Sequence, residues 1–335
     1  MNKIIVFCLI AFALFVVSCN KVKPGNEAKP RSVDNFNENW TFQLGDYTEA
    51  SSVDFNDEKW RKLNLPHDWS IEGEFSEDHP AGSGGGALPG GIGWYRKKFH
   101  IDKELELRKV FIDFDGVYMN SEVWINGYYL GKRPYGYISF RYDLTPHLNY
   151  GEENTIAVRV DNSLQPNSRW YSGSGIYRNV WLTIVNPVYV DLWGTFVTTP
   201  EVSSQRALVN VATKLKNELS SNVNIQLKSS IIDSSGNSIS YTQSDELLEA
   251  RSVKEISHNI ELTYPEIWTI EKPYLYSIET EIYENGKLID NYTTPLGVRS
   301  FSFDPEKGFT LNGKATKIKG VCMHHDLGCL GAAVN

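Results

Sequence analysis

Three Asn-Gly pairs, each between short runs of β-branched and aromatic residues, most strongly limit how this chain can fold. They are Asn126-Gly127, Asn285-Gly286 and Asn312-Gly313. Both central residues of a type I′ turn need a positive φ, which asparagine and glycine tolerate. Each pair therefore predicts a tight hairpin between two antiparallel strands.

Strand-like runs continue along the rest of the chain. Residues 110–114, 156–160 and 223–227 are short and rich in β-branched or aromatic residues, and the last run alternates strictly between apolar and polar positions. Only residues 245–256 have a helix-like composition, and strand formers surround them. This pattern predicts an all-β chain with the strand spacing of a sandwich or a barrel.

The length of the chain and a change in composition predict more than one domain. Eight of the nine tryptophans lie at or before Trp193, whereas residues 201–259 are rich in serine, asparagine and lysine. We therefore predict a first β-sandwich over residues 32–187 and a second, smaller one over residues 188–303. A third unit begins at residue 304 and continues to residue 335.

The amino terminus has the layout of an export signal. A lysine at position 3 precedes an apolar run over residues 4–17, which is too short to span a membrane comfortably because a spanning helix needs roughly 20 residues. Ser18 and Cys19 follow in the order of a bacterial lipoprotein signal, so residues 1–19 are predicted to be a lipoprotein-type signal peptide and Cys19 a lipid anchor. Residues 20–31 would form a solvated tether. The alternative is an ordinary secretory signal with an incidental cysteine; the protein is predicted to be exported, either anchored to a bacterial membrane or periplasmic.

Charge and cysteine content exclude two classes of protein. The formal net charge is −8, and nucleic-acid binding needs clustered basic residues, so we expect no nucleic-acid partner. Apart from Cys8 and Cys19, the only cysteines are Cys322 and Cys329. No disulfide can therefore link positions between residues 20 and 321, and burial alone must hold the domains together.

Three features of the first predicted sandwich could carry chemistry. Its many tryptophans could stack on sugar rings, although each one taken singly is more typical of core packing. The glycine-rich stretch over residues 82–93 lacks the ending of a phosphate-binding loop, so it is either a mobile surface loop or a loop that reaches over a neighbouring site. Residues 168–178 form a polar, glycine-punctuated excursion after a strand and contain Arg169, Trp170 and Arg178.

Several motifs follow one another along the first predicted sandwich, at residues 65–69, 93–97, 114–120, 123–127, 143–145, 158–162 and 168–181. Taken together and in order, they resemble the sugar-binding domain of glycoside hydrolase family 2, especially of its β-galactosidases. Residues 268–276 and 297–301 resemble the end of the family's immunoglobulin-like domain, and residues 317–326 resemble its first barrel strand.

The resemblance implies an architecture and a mechanism. It implies a jelly-roll-like sugar-binding sandwich, an immunoglobulin-like sandwich and then the truncated start of a (β/α)₈ barrel. Hydrolysis with retention of configuration uses two glutamates about 5 to 5.5 Å apart, and in this family both lie on later barrel strands. No segment of the printed sequence matches them, so we expect the 335-residue chain to be inactive by itself.

Four residues are the candidate sugar-binding positions that the resemblance implies. His324 and Asp326 match positions that often face the sugar, and His325 replaces an acidic residue between them, which leaves its own role open. Asp161 matches an aspartate that can contact a galactose hydroxyl or a bound sodium ion. The alternatives are that these histidines and Asp326 cap a strand and that Asp161 closes a turn. Adjacent histidines on a strand point to opposite faces, so no metal site is predicted from them.

The functional prediction is therefore a family 2 glycoside hydrolase, with β-galactosidase activity favoured and a β-galactoside or related glycan as its partner. The alternatives are a lipid-anchored protein that binds carbohydrate without cleaving it, and part of a β-glucuronidase or β-mannosidase. The resemblance implies no obligatory cofactor, although sodium or magnesium can accompany the full-length enzymes, which can also be oligomeric.

Overall fold

Twenty strands and no α-helix make up the regular structure of residues 29–322, 324 and 327–334, which are the residues that the computed structural model describes. The strands in chain order are β1 (Arg31–Asn35), β2 (Trp40–Leu44), β3 (Arg61–Leu63), β4 (Gly91–His100), β5 (Lys109–Phe114), β6 (Ser121–Ile125), β7 (Tyr128–Arg133), β8 (Phe140–Asp143), β9 (Glu153–Asn162), β10 (Val180–Val185), β11 (Val188–Val202), β12 (Arg206–Asn217), β13 (Val223–Ile232), β14 (Ser238–Leu248), β15 (Ser252–Thr263), β16 (Tyr276–Glu284), β17 (Lys287–Leu296), β18 (Phe301–Asp304), β19 (Gly308–Leu311) and β20 (Lys314–Ala315). Short 3₁₀ turns lie at Thr48–Ser51, Ser70–Glu72, Ser83–Gly85, Lys103–Leu105, Thr145–His147 and Gly328–Leu330. The all-β prediction is confirmed.

The first ten strands form a sandwich of two antiparallel sheets. One sheet has the order β3-β2-β4-β9-β6-β7 and the other the order β1-β10-β5-β8. Tyr95 and Val158 of the first sheet and Ile112 and Phe114 of the second are completely buried in one shared core. The strands predicted at residues 110–114 and 156–160 are part of β5 and β9.

The next seven strands form a second sandwich, with three strands in one sheet and four in the other. The orders are β11-β12-β15 and β14-β13-β16-β17, an arrangement typical of immunoglobulin-like domains. Along β12 every second residue from Ala207 to Asn217 is buried, as expected for a strand with one face on a core. Only two residues separate Val188, the first residue of β11, from Val185 at the end of the first sandwich.

All three predicted Asn-Gly hairpins are confirmed. They connect β6 with β7, β16 with β17, and β19 with β20, and in each pair both residues have positive φ, between 49° and 82°. The local turn chemistry thus accounts for three of the strand pairings.

The stretch with helix-like composition is not a helix. Residues 245–256 comprise the end of β14, a turn, and the start of β15. Because β14 pairs with β13 while β15 pairs with β12, the chain crosses there from one sheet to the other. Strand pairing on both sides outweighs the weak helix propensity of the segment.

Beyond the second sandwich the chain forms a small three-stranded sheet, β18-β19-β20. Residues 316–322 follow without regular structure, and Ile318 and Val321 are 67% and 91% exposed. The barrel strand expected at residues 317–326 is therefore absent from the part of this segment that the structure describes. A parallel barrel strand is buried on both faces by its neighbours, and the described residues supply none.

A buried ion pair joins the two sandwiches. Arg31 of β1 donates two hydrogen bonds of 2.9 and 2.8 Å to the carboxylate of Asp290 on β17, and the Asp290 side chain is completely buried. Arg31 also donates to the carbonyl of Val190, whose amide donates to Asp290. In the described residues there is no helix long and apolar enough to cross a membrane.

Candidate functional site

Asp161 lies one residue before the end of β9, where the strand passes into a long loop. Its carboxylate accepts hydrogen bonds from the Ser163 amide and hydroxyl at 3.1 and 2.6 Å, and Arg159 lies 3.3 Å from its other oxygen. Burial by itself raises the pKa of Asp161, but the Ser163 hydrogen bonds and the Arg159 charge outweigh it, so the net shift is downward. Asp161 is therefore an ionised acceptor at neutral pH, and it also closes the local turn, which was the alternative interpretation of this residue.

The next residue, Asn162, holds the loop in place. Its buried side chain donates to the Gly173 carbonyl at 3.1 Å and to the Ser174 hydroxyl at 2.7 Å. Its amide oxygen accepts hydrogen bonds from Gln165 and Asn167. Asn162 is not among the site residues predicted from the sequence, although a polar pair at a strand end before an irregular loop is a usable signal for such an anchor.

An aromatic wall extends from this loop. The indole N–H of Trp170 donates to the Tyr137 hydroxyl at 3.1 Å, and Tyr137 packs edge-on against Tyr118 with ring centroids 5.1 Å apart. Tyr118 in turn donates to Asn167 at 3.3 Å. Burial raises the pKa of Tyr137 to about 12, so this hydroxyl stays protonated at neutral pH.

His324 lies beside this wall. Its ring centroid is 6.0 Å from that of Trp170, with the ring planes tilted by 46°. The structure thus places His324 in the same group of loops as Asp161, although no contact between those two side chains is found in the described residues. His325 and Asp326 lie outside the described residues, as does Cys19.

Asp68, which the sequence analysis did not identify as a site residue, connects the site to the last part of the chain. One carboxylate oxygen accepts the amides of Ser70 and Ser174, at 3.0 and 2.9 Å. The other accepts the Tyr171 hydroxyl and, at 2.9 Å, the amide of Ala332. Asp68 is only 2% exposed, so these hydrogen bonds replace its lost hydration and fix Ala332 against the first sandwich.

Glycine is required on both sides of this carboxylate. A Cβ added to Gly173 would lie 2.6 Å from the Asp68 Oδ2 atom, and one added to Gly331 would lie 2.4 Å from the same atom. Both glycines also have positive φ, +70° and +55°. The approach of two backbone segments to one carboxylate therefore depends on the absence of side chains.

The glycine-rich stretch packs against the same loop. Added Cβ atoms would lie 3.7 Å from the Arg169 backbone at Gly84 and 3.3 Å from the Tyr171 ring at Gly86. Of the two alternatives for residues 82–93, this contact favours a loop that reaches a neighbouring site over a free surface loop. No cluster of three histidine, cysteine or carboxylate side chains suitable for a metal ion occurs within the described residues.

Comparisons with known proteins show which family the sequence resembles. The profile of "Glycosyl hydrolases family 2, sugar binding domain" matches residues 87–186, and that of "Glycosyl hydrolases family 2" matches residues 188–299. The β-galactosidase BoGH2A of Bacteroides ovatus is 57% identical over 309 residues, which are 91% of this chain and 36% of that protein. A putative β-glucuronidase of Formosa agariphila is 42% identical over 320 residues, or 96% of this chain and 30% of that protein.

Solved structures show the same relationship. A glycosyl hydrolase family 2 member from Bacteroides cellulosilyticus matches with a TM-score of 0.88 and 39% identity, over 90% of this chain and 40% of that one. A β-glucuronidase from glycoside hydrolase family 2 matches with a TM-score of 0.86 and 32% identity, over 92% of this chain and 35% of that one. The chain spans about a third of the length of the curated relatives described above.

Proposed function

Because this chain belongs to glycoside hydrolase family 2, we propose that it forms the sugar-binding amino-terminal part of an exported β-galactosidase that cleaves O-glycosidic bonds with retention of configuration. Its role would be to bind and orient the sugar. The two carboxylates that such a reaction needs would come from a barrel that follows it.

The observation that carries the proposal is the placement of Asp161. An ionised carboxylate is an acceptor only, and sugar hydroxyls are donors that it can orient. The Trp170 ring lies on the same loop and offers an apolar face for the C–H face of a sugar. Ligand sites combine an apolar lining with a few placed polar groups, and these two residues supply one of each kind.

Electrostatics favour a galactoside over a glucuronide. A glucuronide carries its own carboxylate, which the negative charge of Asp161 would repel. A galactoside has a neutral hydroxyl in place of that sugar carboxylate. The 57% identity to a β-galactosidase, against 42% to a putative β-glucuronidase, supports the same choice. We propose the same sugar-facing role for His324 and Asp326, which alternation along a strand puts on one face, whereas the role of His325 stays open.

The proposal can be tested with tryptophan-labelled protein and NMR spectroscopy of the indole N–H signals. Methyl β-galactoside should shift the Trp170 signal more strongly than methyl β-glucuronide does. Asp161→Asn keeps the shape of the side chain but removes its charge, so it should weaken the response to the galactoside and reduce the discrimination between the two sugars. A chain that prefers the glucuronide, or an unchanged response in the Asp161 variant, would contradict the proposed specificity.

We also propose that the protein is lipidated at Cys19 and held at a bacterial membrane. The support is the order of a basic residue, a short apolar run and a small residue before the cysteine. A glycan-degrading enzyme at the cell surface or in the periplasm would meet its substrate there.

A further inference from the structure

A second cleft, which shares no residue with the candidate site, lies where the two sandwiches meet. It has a volume of about 260 Å³ and is lined by Arg31, Asp113, Asp115, Arg141, Trp181 and Trp193 among others. The floor is the outer face of the sheet β1-β10-β5-β8, and Trp193 of β11 lines the cleft from the second sandwich.

Trp193 is held in an unusual position. All nine tryptophans lie in the described residues, and Trp193 alone among them is exposed, at 65%. It lies in a bulge of β11, where the pairing with β12 is interrupted between Val190 and Thr195, and its φ of 51° is strained for a residue with a side chain. The next residue of the bulge, Gly194, has no room for a side chain, because an added Cβ would lie 2.7 Å from the Asp191 carbonyl oxygen.

Packing does not account for this conformation. In the described part of the chain the Trp193 indole makes no ring contact with another aromatic side chain and belongs to none of the hydrophobic clusters. Bulges commonly redirect a side chain next to a binding site. A strained backbone that exposes a large apolar ring beside a cleft points to a ligand that stacks on the ring.

Polar groups are available on the floor of the cleft. The Trp181 indole donates to Asp115 at 2.9 Å, and this is the one hydrogen bond to the Asp115 carboxylate in the described residues. Asp115 therefore keeps acceptor capacity for hydroxyl groups. Arg141 is held by two hydrogen bonds of 2.6 and 2.8 Å to Asp113, which fixes its orientation.

The balance of charge in the cleft selects for a neutral ligand. Arg31 is paired with Asp290, and Arg141 is paired with Asp113. Asp115 has no cationic partner in the described residues, so the cleft carries one unbalanced negative charge. An acidic ligand would be repelled, whereas a neutral polyhydroxyl ligand would find both an apolar face and acceptors.

From these observations we propose that the cleft between Trp193 and Asp115 is an ancillary binding site for a neutral sugar ring of a glycan. Its volume is slightly below the roughly 300 Å³ at which pockets for drug-sized ligands begin, which suits one ring rather than a long segment. The site would hold a glycan chain at a distance from the candidate site and would leave the reacting sugar to Asp161 and its neighbours.

The test uses the 335-residue chain with labelled tryptophans and lactose as the probe. Lactose should shift the indole N–H signals of Trp181 and Trp193, with a dissociation constant in the millimolar range, and methyl β-glucuronide should bind more weakly. Trp193→Ala should weaken the response of Trp181 about tenfold, the effect of losing one stacking contact. Trp193→Gly relieves the strained φ, so it should lose binding to the same degree without lowering the melting temperature, which excludes misfolding as the cause.

The matched control is Tyr264→Ala. Tyr264 is also an exposed aromatic residue with positive φ in the second sandwich, 80% exposed with a φ of 48°, but it does not line the cleft. This variant should bind lactose at the cleft like the unmodified chain. Shifts confined to Trp170, or a Trp181 response that survives both Trp193 substitutions, would overturn the ancillary site. Asp161→Asn should leave the Trp181 response unchanged, so a failure of the proposed function and a failure of this site give different results.

Discussion

Replacing Glu218 by glutamine should make the stability of the chain markedly less dependent on pH. Glu218 follows β12 and accepts hydrogen bonds of 2.7 to 2.8 Å from Lys109, Lys216 and Tyr189. Lys109 belongs to β5, so this contact joins the two sandwiches. Burial by itself raises the pKa of Glu218, but the three hydrogen bonds outweigh it and lower the pKa from 4.5 to about 2.

The direction of the pH effect follows from this lowering. A carboxylate whose pKa is lower in the folded state stabilises the fold above its unfolded pKa of 4.5. That contribution is lost as the pH falls from 4.5 towards 2. The lowered pKa corresponds to a contribution of at most about 3 kcal/mol to the free energy of unfolding at pH 7. About two-fifths of this contribution should remain at pH 3. Because a fifth of the Glu218 side chain is exposed, we expect about 2 kcal/mol after screening by solvent.

Melting temperatures measured between pH 3 and pH 7 provide the assay. A loss of about 2 kcal/mol should lower the melting temperature of the Glu218→Gln variant by about 4 °C or more at pH 7. The gap between the variant and the unmodified chain should narrow as the pH falls. Glu153→Gln is the control, since Glu153 pairs with Lys98 at the surface and is 61% exposed, and such pairs contribute little. A gap for the Glu218 variant that does not change with pH, or two variants that behave alike, would contradict the stabilising role of the ionised Glu218.

Three further predictions concern the buried anchors and the amino terminus. Asp68→Asn should release the segment around Ala332, because an amide side chain cannot accept all four hydrogen bonds. Hydrogen exchange of the Ala332 amide should then accelerate at least tenfold, while the core strands stay protected. Arg31→Met should lower the free energy of unfolding by about 3 to 5 kcal/mol, measured by chemical denaturation, because it leaves Asp290 buried without its partner. The double variant Arg31→Met with Asp290→Leu should regain most of that loss. The absence of any recovery would count against the pairing. Cys19→Ala should move the protein from the membrane fraction to the soluble fraction, and retention in the membrane would contradict lipidation at this residue.

Local rules were enough to predict the fold class but not the anchors of the candidate site. The Asn-Gly turns and the alternating runs report on neighbours along the chain, and both were confirmed. Asp68 could not be found in this way, because its partner Ala332 lies 264 positions away. The exposure of Trp193 was equally hidden, since it depends on a bulge that only the pairing of β11 with β12 reveals.

The residues placed at the candidate site are suited to orienting a sugar rather than to transferring protons. A general acid or base works best with a pKa near the operating pH. Hydrogen bonds and charge lower the pKa of Asp161 below its usual value, and burial raises that of Tyr137 to about 12, so neither changes its protonation state near neutral pH. The indole N–H of Trp170 is already used by Tyr137, which leaves the face of the ring for stacking. A fixed acceptor and an apolar face are what substrate positioning requires, and positioning in general can contribute several kcal/mol to a catalysed reaction.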